Sequence, residues 1–318
     1  MKHWIALAAG LLAGASAMAQ AWPTKPIRFI VPFTAGSGTD IIARTVGDTM
    51  ARSLGQPIII ENKPGAGGTI AAAQVAKSEA DGYTILVHSS GHVVNPAIYT
   101  NLSYDTLKDL SGVVPMAALP NVLVVAPNRG WKTVGDLVAE AKAKPGKLNY
   151  ASAGVGAATH LNAEKFKMQA VFDAVHVPYK GTPEAITDVI GGRADWYFSP
   201  LSAALPLIKD GKILPLAVST PQRTPALPQV PTTVEAGVAG SDYVFWVGMI
   251  VPSATPAAVV RRLHEEVTKA MANADVKERY AKLGAETMLM SSEAFNAFLK
   301  TETESAGKIA RAAGLKAQ

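Results

Sequence analysis

Two short segments gather glycine and hydroxyl side chains just after an apolar run and just before a helical pattern. The first, Phe33-Thr34-Ala35-Gly36-Ser37-Gly38-Thr39-Asp40, follows the run IRFIV; the second, Ser152-Ala153-Gly154-Val155-Gly156-Ala157-Ala158-Thr159-His160, follows LNYA. Glycine in such a turn lets the backbone approach a ligand closely, and the first turn of the next helix leaves N–H groups without intrahelical acceptors. These donors and the helix dipole favour an anion. Hydroxyls of Ser37, Thr39, Ser152 and Thr159 can add donors, so the chemistry expected is capture of a carboxylate by neutral groups. A tight turn with an ordinary N-cap explains either segment alone equally well; two of them, one in each expected lobe, favour a ligand.

Other polar strand ends extend this set. Ser89, in His88-Ser89-Ser90-Gly91-His92, closes a third apolar run where ligands of open α/β sheets bind. The glycine run Lys63-Pro64-Gly65-Ala66-Gly67-Gly68-Thr69 could also offer N–H groups, although a rigid strand-to-helix turn accounts for it equally. Among the aromatics, Tyr179 ends one strand, Trp196-Tyr197-Phe198-Ser199 closes another, and Phe245-Trp246 lies at an expected crossing between lobes. Core packing is the default for each; Phe33, Tyr179 and Trp246 are the stronger cleft candidates.

Catalytic and cofactor patterns are missing. The sequence contains no G-x-S-x-G elbow, P-loop, H-E-x-x-H or EF-hand spacing. Gly154-x-Gly156 imitates the start of a dinucleotide fingerprint, but position 159 is Thr and the next strand ends in Tyr179-Lys180 where a ribose-binding acid belongs. No cofactor is expected. His264-Glu265-Glu266 lacks a second histidine at position 268, and His88 and His92 lack an acidic partner, so no metal is expected either. Ser152 and His160 could serve as nucleophile and base, yet no third group is available to orient them. A secreted hydrolase using that pair is the alternative to a non-catalytic binding protein.

The elements that must position these residues alternate. Ile27–Phe33, Pro57–Glu61, Tyr83–His88, Asn121–Ala126, Leu148–Ala151, Ala174–Pro178, Ala194–Phe198, Ile213–Ser219 and Tyr243–Val251 read as strands, with helical periodicity between most of them, as in Ile42, Val46, Met50 and Leu54. Alternation of this kind predicts an α/β fold with mainly parallel sheets covered on both faces. After residue 251 three helical stretches follow without a strand, the first beginning with Thr255 as N-cap and Pro256 at N1. They need a sheet to cover, which predicts a discontinuous first lobe, 22–122 plus 246–318, around a second lobe at 123–245. The two crossings form a hinge, with the ligand between the lobes.

Composition agrees with a folded, exported chain. The 318 residues are 48% hydrophobic, carry 30 Lys+Arg against 25 Asp+Glu, and include no cysteine. Disorder, thiol catalysis and Cys-based metal sites are thereby excluded, and a formal charge of +5 is too small to indicate nucleic acid. At the N-terminus, Lys2, the apolar run Trp4–Ala15 and Ala17-Met18-Ala19 read as a signal peptide cleaved after Ala19, since a run of about a dozen residues is short of the ~20 a span needs. The expectation is a soluble exported protein without a membrane or lipid anchor.

The segments WPTKPIRFIVPFTAGSGTD, LGQPIIIENKPGAGGTIAAAQVAKSEADGYTIL, KPGKLNYASAGVGAATHL, VHVPYKGTPEAITDVIGGRADWYF and TPALPQVPTTVEAG together resemble the Bug (Bordetella uptake gene) family. These are periplasmic substrate-binding proteins of tripartite tricarboxylate transporters. The resemblance implies a type II-like, two-lobed periplasmic binding protein fold and a monomer that hands a small carboxylate to a large and a small membrane permease subunit. A signalling partner in place of the permease is the other option. The family's carboxylate-binding turns match Phe33–Asp40 and Ser152–His160. Many members have Asp at the end of the strand ADWYF, where this chain has Ser199. A neutral hydroxyl there implies a ligand without an ammonium group, an aliphatic dicarboxylate or an aromatic acid.

Overall fold

A computed structural model describes residues 22–315; the expected signal peptide lies outside them. In chain order the elements are β1 (Ile27–Val31), α1 (Gly38–Leu54), β2 (Ile58–Asn62), α2 (Thr69–Ala76), β3 (Thr84–Ser89), α3 (Asn95–Ile98), β4 (Leu110–Leu119) and β5 (Asn121–Val125). There follow α4 (Val134–Ala143), β6 (Asn149–Ser152), α5 (Ala158–Ala170), β7 (Val175–Pro178), α6 (Thr182–Ile190), β8 (Trp196–Pro200), α7 (Leu201–Lys209) and β9 (Leu214–Val218). The chain ends with β10 (Phe245–Pro252), α8 (Ala257–Ala272), α9 (Ala274–Leu283), β11 (Glu286–Thr287) and α10 (Ser292–Ala312).

The strands form two sheets, one per lobe, in the orders β11-β4-β10-β3-β1-β2 and β7-β6-β8-β5-β9. Both are mixed rather than mainly parallel. In the first, β1 runs parallel to β2 and β3, while β10 is antiparallel to β3 and β4. In the second, β6 runs parallel to β7 and β8, while β5 is antiparallel to β8 and β9. The physical reason is the crossings. A strand arriving from the other lobe has no crossover helix, so it need not run parallel to its neighbours. The chain leaves the first sheet at Pro120, with Asn121 and Val122 already paired in the second, and returns at Phe245.

Period-two alternation gives each sheet two covered faces. Phe245, Val247, Met249 and Val251 of β10 pack with α1, α8 and α9 residues such as Val46, Leu263 and Tyr280. Trp246 and Ile250 face the other way, against Ala71 and Val75 of α2 and Phe295 and Leu299 of α10. In the second lobe Tyr150, Trp196 and Phe198 pack under α4 and α5, and Val122, Val124 and Tyr197 under α6 and α7.

β4 escapes sequence reading because Gly112 and Pro115 interrupt LSGVVPMAAL. Proline cannot donate to a ladder, and here Pro115 sits opposite Gly248 where the β4–β10 register shifts. The two-residue β11 is too short to leave a pattern. Pro256, not Thr255, is the N-cap of α8. Its ring holds φ at −56° while ψ stays extended at 136°, so the helix begins one residue later than expected.

Candidate functional site

The first glycine turn is held by a buried carboxylate. Asp40 accepts from Gly36 N at 2.9 Å, from Asn62 Nδ2 at 2.9 Å and from Arg44 Nε at 3.0 Å, while Asn62 also donates to Phe33 O at 2.9 Å. Asp40 therefore shapes the turn and has its charge compensated by Arg44, and it lines neither of the two cavities between the lobes. Ser37, the N-cap of α1, makes no capping bond with its side chain. Its hydroxyl is buried and unpartnered, as is that of Ser89 at the end of β3.

The second turn is held by two histidines. Ser152 Oγ lies 2.6 Å from His176 Nε2 and accepts from Gly154 N at 3.0 Å. Gly156 N donates to His160 Nδ1 at 3.2 Å, which leaves the His160 proton on Nε2. The two imidazoles stack with centroids 3.8 Å apart and planes 8° from parallel. Burial, with the neighbouring positive charge of Lys167, pushes His176 down to about 4; burial, His176 and Lys167 hold His160 well below the usual histidine value. Both are neutral at pH 7, as close stacking of two imidazoles requires. Burial also lowers His92 to about 4.

These values set a pH dependence. The unfolded chain protonates near 6.5, the folded chain only near 4, so unfolding takes up protons as the pH falls through that window. Stability is complete above about 6.5 and drains toward 4. Urea midpoints are expected to fall steadily from pH 7 to pH 4.5, with a shallower fall in His176→Gln; a flat profile for the parent would contradict the assignment.

Both turns reach a chamber of about 10 Å³ between the lobes, room for about one water. The first lobe contributes Phe33, Ser37, Gly38, Thr39, Ser89 and Phe245, and the second Ala153, Ala157, Ala158, Thr159, Thr182 and Pro200. No lining residue carries a charged side chain. Four helices begin here: Gly38 opens α1, Ala158 opens α5, Thr182 opens α6 and Pro200 caps α7. None has a side-chain N-cap hydrogen bond; Leu201 N of α7 is taken by Pro120 O at 2.8 Å and His160 N of α5 by Ala157 O at 2.9 Å, and the remaining first-turn N–H groups, chiefly those of α1 and α5, are left for another acceptor. Thr159 Oγ1 accepts from Ala153 N at 3.0 Å, and Thr182 lies 3.2 Å from the Tyr197 hydroxyl.

Beside the chamber, sharing Ala153 with it, opens a cleft of about 1040 Å³. Gly154, His160 and Tyr179 line it from the second lobe, together with His176 and Lys180, and Gly65–Gly68 line it from the first. The Tyr179 hydroxyl donates to Asp188 at 2.6 Å. Thr34 donates to Glu184 across the cleft at 3.0 Å, Gly36 faces Pro183, and Ala35 is exposed.

The structure does not bring every candidate to the chamber. Trp246 points away, edge-on to Phe295 at 5.6 Å; its neighbour Phe245 lines the chamber, because successive strand residues face opposite sides. Ser199 is buried and donates to Pro200 O. Ser152 is fully buried, and Gly156 engages the Nδ1 of His160, so the pair imagined as nucleophile and base is not assembled; the partner of Ser152 is His176. Thr182, Pro200, Ala157, Ala158 and Phe245 line the chamber without having been singled out as candidates. Gly181-Thr182-Pro183-Glu184 carried a usable signal, a glycine N-cap with proline inside the first turn directly after a strand.

Two α/β lobes joined by crossing strands, with helix N-termini meeting between them, are the architecture of a two-lobed solute-binding protein. The chain belongs to the tripartite tricarboxylate transporter family of receptors, which matches it over residues 42–315. It is 38% identical over 285 residues to a UPF0065 protein from the tcbD–tcbE intergenic region of Pseudomonas sp. strain P51, covering 89% of this chain and 85% of that protein. The periplasmic binding protein BugD superposes with a TM-score of 0.89 at 31% identity, over 93% of this chain and 100% of that one. R. palustris Rpa4515 with adipate gives 0.90 at 34% identity, again over 93% and 100%. Its relatives are thus binding and transport proteins.

Proposed function

We propose that this chain is a periplasmic receptor, exported after removal of residues 1–19, that captures an organic acid between its lobes and delivers it to a membrane permease of one large and one small subunit. The observation that carries this reading is the convergence of the starts of α1, α5 and α6 and the free hydroxyls of Ser37 and Ser89 on a chamber with no charged wall; at about 10 Å³ the chamber admits an organic acid only when the lobes part around it. A desolvated carboxylate finds there only donors, and fixed dipoles favour it. A ligand ammonium would find no counter-ion, a large cost for a buried charge. The ligand proposed is therefore an aliphatic dicarboxylate or an aromatic acid, and adipate in a relative of 34% identity supports the first. Phe33, Ser37, Gly38, Thr39, Ser89, Ala153 and Thr159 are the proposed contacts, with Asp40, Ser152, His160 and His176 as their scaffold. Burial of Ser152 supports binding without turnover.

A thermal-shift panel on residues 20–318 tests this with adipate, a tricarboxylate, benzoate and glutamate. A binder at 100 times its Kd adds about 2.7 kcal/mol to stability. Adipate or benzoate is expected to raise the melting temperature and glutamate to do little. Tight binding of an amino acid with none of its deaminated analogue, or shifts by sugars alone, would overturn the reading.

A further inference from the structure

We propose that Tyr99 and Gly67 form a closure latch, positioning residues that hold the second glycine turn against the first lobe without touching the ligand. The proposal rests on the receptor reading in that closure retains a ligand. Tyr99, Gly67 and Val155 line the adjoining cleft, and none of them lines the chamber in which the ligand is proposed.

The latch grips one carbonyl. Tyr99, just after α3 in the first lobe, donates its hydroxyl to Val155 O of the second-lobe turn at 2.8 Å. The same oxygen seats on Gly67, where a Cβ would lie 2.2 Å from it and 3.1 Å from the Tyr99 hydroxyl. No side chain larger than hydrogen fits while the lobes touch. Gly67 also holds φ at +60°, a conformation that disfavours side chains in either state. Asn95, fully buried, steadies this loop by donating to Gly67 O at 3.4 Å.

An apolar contact backs the polar one. Leu161, one turn into α5, is buried against Val94, Ile98 and Ala310 of the first lobe. Parting the lobes would expose it and leave the Val155 carbonyl to water. Closure therefore gains from contacts that any ligand leaves unchanged. Removing them should weaken every ligand by one factor, whereas removing a ligand contact should alter the ranking of ligands.

The chain has no cysteine, so Lys142→Cys in the second lobe and Lys300→Cys in the first place two spin labels uniquely. Interlobe distance distributions and calorimetric Kd values for adipate and benzoate are measured in this background. Tyr99→Phe is expected to lengthen the mean unliganded distance and raise both Kd values about five-fold, the equivalent of one neutral hydrogen bond. Gly67→Ala should do the same by more than ten-fold. Gly211→Ala is the control, since Gly211 has φ of +67° with nothing within 4 Å of its Cβ position, and it should change neither. Circular dichroism melts confirm folding, and Tyr99→Phe carries the test if Gly67→Ala does not fold. If the acids bind the parent and Tyr99→Phe with equal affinity and unchanged distances, the latch is wrong and the receptor reading stands. If Tyr99→Phe opens the lobes while no acid binds the parent, the receptor reading is wrong and the latch stands as a lobe contact.

Discussion

Ser37→Asp is expected to lower carboxylate affinity by at least about 100-fold while leaving the protein folded at near-parental stability. The added carboxylate sits at the N-cap of α1, a position where Asp and Ser are about equally favourable, and it meets the helix dipole with the right sign. It also enters the 10 Å³ chamber and takes the donors meant for the ligand. Two like charges about 4 Å apart at an effective dielectric near 20 repel by about 4 kcal/mol, so even partial screening leaves a loss of about two powers of ten. Ser37→Ala separates charge from shape, since it removes one neutral donor and should cost about five-fold. Calorimetry with adipate alongside urea unfolding distinguishes the cases. Parental affinity in Ser37→Asp would show that the anion binds elsewhere.

The largest stability effect is expected from Phe295→Ala, at about 3–5 kcal/mol. Phe295 is fully buried, and its ring covers two glycines on neighbouring strands: a Cβ at Gly112 would lie 2.5 Å from it and one at Gly248 2.6 Å. Those residues have no side chains to swing into the gap, so the cavity would stay open. Its edge-on contact with Trp246 and its stacking with Phe298 would also go. The damage should be local to the first lobe. Amide exchange in β4 and β10 should accelerate, and exchange in β5 and β8 should change little. A stability loss under 1 kcal/mol would show that α10 does not fasten the sheet.

Both effects bear on how closure works. Ser37 lines the chamber between the lobes, whereas Phe295 anchors the helix whose far end carries Ala310 to the interlobe contact with Leu161. The acid dependence from His160 and His176 adds a third control, because the scaffold of the second turn needs neutral imidazoles. A receptor with this scaffold should lose order in that turn before the first-lobe turn, which Asp40 and Arg44 hold with an ion pair.

By itself, the sequence determined the two glycine turns, the strand and helix alternation and the return of the C-terminal helices to the first sheet. Each is a local signal: spacing of apolar residues, glycine with hydroxyls, a proline near a helix start. Strand β4 was hidden because Gly112 and Pro115 erase the alternation that would reveal it, and their places are explained only by Phe295 above and the bulge opposite. The tertiary structure alone decided which side chains line the interlobe chamber. Phe245 and Trp246 are adjacent in sequence, yet strand register turns one into the chamber and the other toward α10. Ser152 meets His176 rather than His160 because parallel pairing of β6 with β7 sets Tyr150 beside His176 and Ser152 two residues further along the same face, which makes Ser152 and His176 diagonal neighbours. The seating of Val155 on Gly67 joins residues from different lobes, a contact set by the packing of two sheets that no local pattern encodes.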